Sequence, residues 1–546
     1  MNRIITILAL ATAVICSAQT SNNAQNVVDI YNSQKLRQQE FTPDQKLRQA
    51  AMFIDRLYVD HVNTDSIVEE GIKAMLKTLD PHSTYTNPEE TRELTEPLQG
   101  NFSGIGIQYN MLNDTLYVIQ TIAGGPSERV GLLAGDRILS AGDSILSGIN
   151  RSRTEVTKIL RGPKGTTVDI KVLRAGTPKP ISFTITRDDI PLYSVDASYM
   201  IDKENGYIRI SRFAEETAGE VRTAISNLKK KGLKNLIIDL EHNGGGYLSS
   251  ATEVAQMFLK TGDIIVFTNN KDSIPNYLKA EHGGSFGNGR VVLMVNQYSA
   301  SASEILSGAI QDYDRGVIVG RRTFGKGLVQ RPYRFPDGSM IRLTTSRYYT
   351  PSGRCIQKPY HSGDDSDYSE DILNRYRHGE LSSSDSISFD RNLLFHTINN
   401  HRPVYGGGGI MPDCFVPIDT TFYTDYYRDL LAKGVFNKVA MTYVDKNRKT
   451  LKEKYPDVNN FASQFNVGQD LIDAIVSEGE KEKDEPNPEQ LAISRNYMAA
   501  ILKALVARYI FDTSAYYQII NNTNPVYKAA IEIISSPARY NSLLGK

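Results

Sequence analysis

Neither sign of charge prevails in this chain of 546 residues. Lysine plus arginine and aspartate plus glutamate number 62 each, so no global field draws it to nucleic acid or anionic lipid. Its eight histidines show no ligand spacing, and no metal or organic cofactor is implied. Beyond the N-terminus no stretch is long and apolar enough to cross a bilayer, so no integral membrane segment is expected after that point. Cysteine is scarce, with three residues.

The N-terminus has the pattern of a secretory signal. Arg3 supplies a positive start, Ile4 to Ile15 form a short apolar run, and "CSA" ahead of Gln19 is a small-residue cleavage site. Residues 1–18 are read as a signal peptide, and the protein is expected to be exported, periplasmic in a Gram-negative bacterium, with membrane association as the lesser outcome. Cys16 raises a lipoprotein reading that "AVIC" matches poorly. After cleavage Cys355 and Cys414 remain, and an oxidising compartment permits either a disulfide or two buried thiols.

What is present is globular: 40% hydrophobic and 23% charged residues, in a length that suits two to four domains. Apolar residues at three- and four-residue spacing predict helices within 19–97. Short alternating strands ("LYVIQTI", "VDIKVLR", "ISFTITR") fill 98–188. From 189 to 360 the pattern changes to strand–loop–helix units. There "NLIIDL" and "VVLMV" read as strands buried on both faces, and repeated parallel units give a layered α/β core. The polar stretch 361–404 reads as a surface insertion, partly disordered, followed by a return to the core at 405–420 and a helical region over 421–546.

Three serines at alternate positions, Ser299, Ser301 and Ser303, lie where a buried strand passes into a helix pattern. Such a turn exposes a hydroxyl and aims first-turn N–H groups at a developing oxyanion. Helix capping is the simpler role for any one of them, and Ser303 with Glu304 fits it. His242, with Asp239 nearby, is one candidate base. Lys326 in "TFGKGLVQ" is the other; burial without a counter-ion would lower its pKa, and Gln330 could bond the amine without adding charge.

The segment "GGPSERVGLLAGDRILSAG", preceded by "SGIGI", resembles a PDZ domain, which adds a peptide to a sheet edge. The resemblance implies that Gly104, Ile105, Gly106 and Ile107 hold a terminal carboxylate. "NQYSASASEILSGAIQDYDRGVIVGRRTFGKGLVQ", with "DLEHNGGGYLSSATEVA" upstream, resembles the carboxyl-terminal processing (tail-specific) serine proteases from about Asp80 to Val416. That resemblance implies a crotonase/ClpP-like α/β protease core with an inserted PDZ domain and helical N- and C-terminal regions. It also implies Ser301 as nucleophile, Lys326 as general base, Gln330 as its orienter, and Gly245 with Ala302 as the oxyanion hole. The family often has proline where Gly244 stands. Because simpler members lack the stretch between "YYTPSGRCIQ" and "GGGIMPD", its ends should lie close, which favours a Cys355–Cys414 disulfide. The implied partners are protein or peptide substrates with free, apolar carboxyl ends, with self-association or an adaptor on the helical ends. The alternatives are an inactive PDZ scaffold, and a Ser–His–Asp hydrolase using His242.

Overall fold

The strands Asn235–Asp239 and Val291–Val295 are buried along their whole length, as their unbroken apolar pattern requires. They lie at the centre of a six-stranded sheet in the order 195–200, 205–210, 235–239, 291–295, 317–320, 414–415. All neighbours run parallel except the first pair. The computed structural model describes residues 42–546 except 113, 123, 175, 364 and 365; the expected signal peptide and Cys16 lie outside the described residues.

Both sheet faces are covered. Helices Thr217–Lys230, Leu248–Gln256 and Ala302–Asp312 pack on Ile208, Ile210, Leu236, Ile238, Leu293 and Val295. Across the sheet, Val526, Ala530, Ile533 and Ile534 of helix Pro525–Ser535 cover Ile237, Val292, Met294, Val317 and Val319. The result is a three-layer α/β/α core whose third layer comes from the C-terminal region. The C-terminal helices from Asp425 to Ile520 form their own apolar core around Phe436, Phe461, Leu502 and Val506. Among the described residues no helix is long and apolar enough to cross a membrane.

The expected PDZ domain joins the core through an antiparallel pair, Asn101–Gly104 with Asp188–Pro191. Its sheet and the helix Arg153–Leu160 enclose a separate core of Leu116, Val118, Ile138, Val156, Ile170 and Ile185. Arg137 pairs with Asp445 of the C-terminal bundle at 2.8 Å. Residues 42–79 belong to a distinct unit. Its helices Pro43–Leu57 and Thr64–Lys77 leave Leu47, Leu57, Val68 and Met75 exposed.

Two expectations are overturned here. The insertion is ordered over its described residues: helix Ser366–Arg377 is followed by a hairpin of Leu394–His396 with Pro403–Tyr405. Tyr368, Leu381, Ile387 and Val404 anchor it, and its acidic and serine residues lie largely on the solvent side. The Cys355–Cys414 disulfide is not formed; both are free thiols. Cys414 pairs with Val319 at the sheet edge and packs toward the C-terminal helices, whereas Cys355 bridges Tyr349 in another sheet. Closeness of the insertion's ends does not make these side chains face each other.

Candidate active site

The strand Val291–Val295 runs into a turn that separates the three serines. Ser299 is fully buried; its hydroxyl donates to Leu240 O at 2.8 Å and accepts from the Asn296 N–H at 2.9 Å. Ser303 is buried as well and donates to Asn243 O at 2.9 Å, so it does not cap the helix as expected. Ser301 occupies the N-cap of Ala302–Asp312 and is only half-buried. Its φ of 56° is rare for a residue with a Cβ and costs of order 1–3 kcal/mol, the kind of strain that persists where surroundings enforce it.

Asn243 fastens the glycine loop to this turn. Its carbonyl accepts the Ala300 N–H at 3.0 Å, and its Nδ2 donates to Ile210 O at 2.8 Å. Gly245 (φ 103°) lies against the Ser301 turn, where an added Cβ would stand 2.8 Å from Ser301 Cβ and 3.0 Å from Ala302 N. The Gly245 N–H, expected in the oxyanion hole, donates instead to Asn243 Oδ1 at 2.9 Å. The Ala302 N–H, at the first helical position, has no acceptor among the described residues.

Lys326 follows the strand Val317–Gly320 on a loop. The anchor of that loop is Glu304, fully buried on the helix Ala302–Asp312. Its Oε1 accepts from Thr323 Oγ1 at 2.6 Å and Gly325 N at 2.7 Å; its Oε2 accepts from Ser301 N at 2.8 Å and Lys326 N at 2.9 Å. Burial raises the Glu304 pKa, and these four donors oppose the rise. On the opposite edge, the Tyr348 hydroxyl lies 2.6 Å from Lys326 O and 3.1 Å from Ser301 O. Sequence reasoning missed both residues as functional. The signal for Glu304 was present as its i+3 position after Ser301, the spacing of a capping box.

Burial, and then the guanidinium of Arg342, push the Lys326 ammonium down from 10.5 to about 8, against the pull of Glu304 and Asp80. Among the described residues no carboxylate forms an ion pair with Lys326. Its amine therefore loses a proton far more readily than an ordinary lysine.

Gln330 is not bonded to Lys326. A register shift between Val329 and Gln330 re-aims the side chain, whose Nε2 donates to Thr344 Oγ1 at 3.3 Å. Thr344 Oγ1 in turn donates to Asp80 Oδ1 at 3.0 Å. The His242 arrangement lacks its central bond. The Asp239 carboxylate accepts from Tyr207 OH and Arg209 Nη1, each at 2.5 Å, and from Glu241 N at 2.8 Å. His242 instead stacks on Tyr298, 5.2 Å between centroids.

In the PDZ domain, Gly104, Ile105, Gly106 and Ile107 border a cavity of about 190 Å³ with Tyr109, Thr157, Leu160 and Arg161. Ile105 is 2% exposed and belongs to the domain core, so Ile107 is the more accessible of the two isoleucines. Gly106 takes φ 76°, and an added Cβ would meet Ile190 Cδ1 at 3.0 Å and Pro126 Cδ at 3.1 Å. Arg161 at the groove pairs with Glu96 at 2.5 Å.

Four family models match. Residues 204–367 match peptidase family S41, 103–185 a PDZ domain, 6–91 the N-terminal domain of the activating protease CtpB, and 426–512 a family of unknown function. The carboxy-terminal-processing protease of Bartonella bacilliformis is 33% identical over 356 residues, which cover 64% of this chain and 78% of that one. The carboxy-terminal processing protease CtpA of Bacillus subtilis is 34% identical over 352 residues, 64% of this chain and 74% of its own. A solved photosystem II D1 C-terminal processing protease aligns with 28% identity over 58% of this chain and 91% of that chain, with a TM-score of 0.33.

Proposed function

Because the chain belongs to the carboxy-terminal processing proteases of peptidase family S41, serine-type endopeptidases, we propose how its own residues carry the reaction. Ser301 is the nucleophile and Lys326 the general base of an exported enzyme that takes substrates by their carboxyl-terminal tails. The observation that carries this reading is the Glu304 carboxylate, which accepts the backbone N–H groups of both Ser301 and Lys326.

The substrate tail adds as a strand beside Ile107–Leu112, with its carboxylate on the Gly104–Ile107 loop. Neutral Lys326 takes the hydroxyl proton as Ser301 attacks the scissile carbonyl. The oxyanion forms against the Ala302 N–H, and the Gly245 N–H joins it on turning away from Asn243 Oδ1. Lys326 then gives its proton to the leaving amine, and water hydrolyses the acyl-enzyme. Gln330 comes to orient the amine only by leaving Thr344. The exposed apolar residues of Pro43–Leu57 and Thr64–Lys77 support self-association or an adaptor, which a solution mass measurement decides.

The test is peptide cleavage by single alanine variants. Ser301→Ala and Lys326→Ala are expected to be inactive while His242→Ala stays largely active. Retained activity in Lys326→Ala contradicts the dyad.

A further inference from the structure

The loop carrying Lys326 has a partner for every backbone group from Thr323 to Lys326. The four N–H groups go to Ile410 O, Ser299 O and the two Glu304 oxygens. Gly325 O accepts the Lys358 N–H at 2.9 Å, and Lys326 O takes the Tyr348 hydroxyl. The two remaining carbonyls are held by a single side chain. Arg375 donates Nη1 to Thr323 O at 2.8 Å and Nη2 to Phe324 O at 3.1 Å. Arg375 is 3% exposed and stands in the last turn of Ser366–Arg377, beyond residue 367, where the S41 match ends.

The clamp is braced by its own element. Asp371, one turn earlier, places Oδ2 3.0 Å from Arg375 Nε and 3.0 Å from Lys358 Nζ. Lys358 Nζ sits 4.0 Å from the ring centroids of Phe324, on the loop, and Tyr368, on the helix. Arg322, just ahead of the loop, pairs with Glu380 just after the helix. Burying a guanidinium and an ammonium is costly unless each is paired and hydrogen-bonded. Here the pairing is arranged around one short loop.

We propose that the helix Ser366–Arg377 is a positioning element for catalysis, with Arg375 as the positioning residue that fixes the Lys326 loop. The inference rests on the reading of Lys326 as general base. An arginine suits the role because its planar fork reaches two carbonyls at once, which a lysine cannot do in the same geometry. Without it, Thr323 O and Phe324 O must turn to water, and the loop that keeps Lys326 dry and aimed loosens. Displacing a catalytic group by about 1 Å can cost on the order of 10²-fold in rate.

The test compares full-length Arg375→Ala, Arg375→Lys, Lys326→Ala and the exposed same-helix control Arg377→Ala. The probe is a quenched-fluorescence peptide ending in a run of alanines with a free carboxylate, assayed from about pH 6 to 10. Thermal unfolding is followed in parallel. Arg375→Ala is expected to lower kcat by about 10- to 100-fold with KM within about twofold, and to move the rising limb of the pH profile upward. Arg375→Lys should recover part of the loss, and Arg377→Ala should match the native enzyme. A native kcat and pH profile in Arg375→Ala, beside an inactive Lys326→Ala, overturns the positioning role and leaves the dyad standing. An active Lys326→Ala overturns the dyad and this inference with it. Should Arg375→Ala unfold below the assay temperature, Arg375→Lys decides: a reduced kcat with a raised limb supports the role, and a native profile overturns it.

Discussion

Ser301 and Lys326 are bridged twice through their backbones. Their N–H groups share Oε2 of Glu304 at 2.8 and 2.9 Å, and their carbonyls share the Tyr348 hydroxyl at 3.1 and 2.6 Å. On the proposed mechanism, Glu304 and Tyr348, which bring no atom of their own to the reaction, hold together the backbones of the two residues that do.

The carboxylate half of this bridge is sensitive to charge. In Glu304→Gln, one acceptor oxygen becomes an NH₂ group facing donors, so at least two of four bonds are lost in a fully buried site. Each unmade bond costs about 1–3 kcal/mol. The variant should melt lower and lose on the order of 10²-fold in kcat with little change in KM. Calorimetry with steady-state kinetics checks both; native kcat would show that the bridge has no catalytic consequence.

The hydroxyl half is milder. Tyr348→Phe keeps the buried ring and removes one donor, leaving Lys326 O short of a partner, while Ser301 O still accepts the N–H groups of Glu304 and Ile305. A stability loss of about 1–3 kcal/mol is expected. The kcat loss should be smaller than in Glu304→Gln, as read by denaturant melts and initial rates.

How much of this could be read in the sequence depends on what each residue needs. Ser301 and Lys326 stand in dense motifs, and the alternation of buried strands with helices gave the α/β core. Glu304 was legible only as a cap residue, because sequence spacing shows the helix start and not the loop that crosses it 21 residues later. Gln330 and Gly245 carry the right identities, yet a register shift turns the first to Thr344 and the Asn243 side chain occupies the N–H of the second. The insertion's polar composition hid the few residues that order it, among them Tyr368 and Arg375, both buried. The cysteines lie on separate sheets, which closeness in a length comparison does not reveal.

Glu241, behind the glycine loop, predicts a pH-dependent stability. Burial first, and then Asp239, raise its carboxyl pKa well above the ordinary value of 4.5; Asn524 Nδ2 at 2.6 Å, Arg321 and Arg209 oppose the rise. A folded-state pKa above the unfolded one means that the stabilising contribution is full below about 4.5 and is lost as the pH rises. The native melting temperature should therefore fall across that rise by more than that of Glu241→Gln. Equal slopes in the two proteins would rule out this group as the source.

Gly106 predicts a separable defect. In Gly106→Val a branched side chain must take φ near 76° against Ile190 and Pro126. Binding of peptides with free apolar carboxyl ends should weaken at least about tenfold by titration calorimetry. Cleavage of a peptide with an amidated end should change much less. An equal loss on both peptides would place the defect in the protease core.

The most direct test of the central claim is the pH dependence of kcat/KM, which reports the base of the free enzyme. With Lys326 lowered from 10.5 to about 8, the rate should climb as the pH rises through about 8. Arg342→Gln, which removes a cation that helps to lower it, should move that limb upward, and His242→Ala should leave it in place. A limb near the ordinary histidine value of about 6.5 that vanishes in His242→Ala would contradict the account.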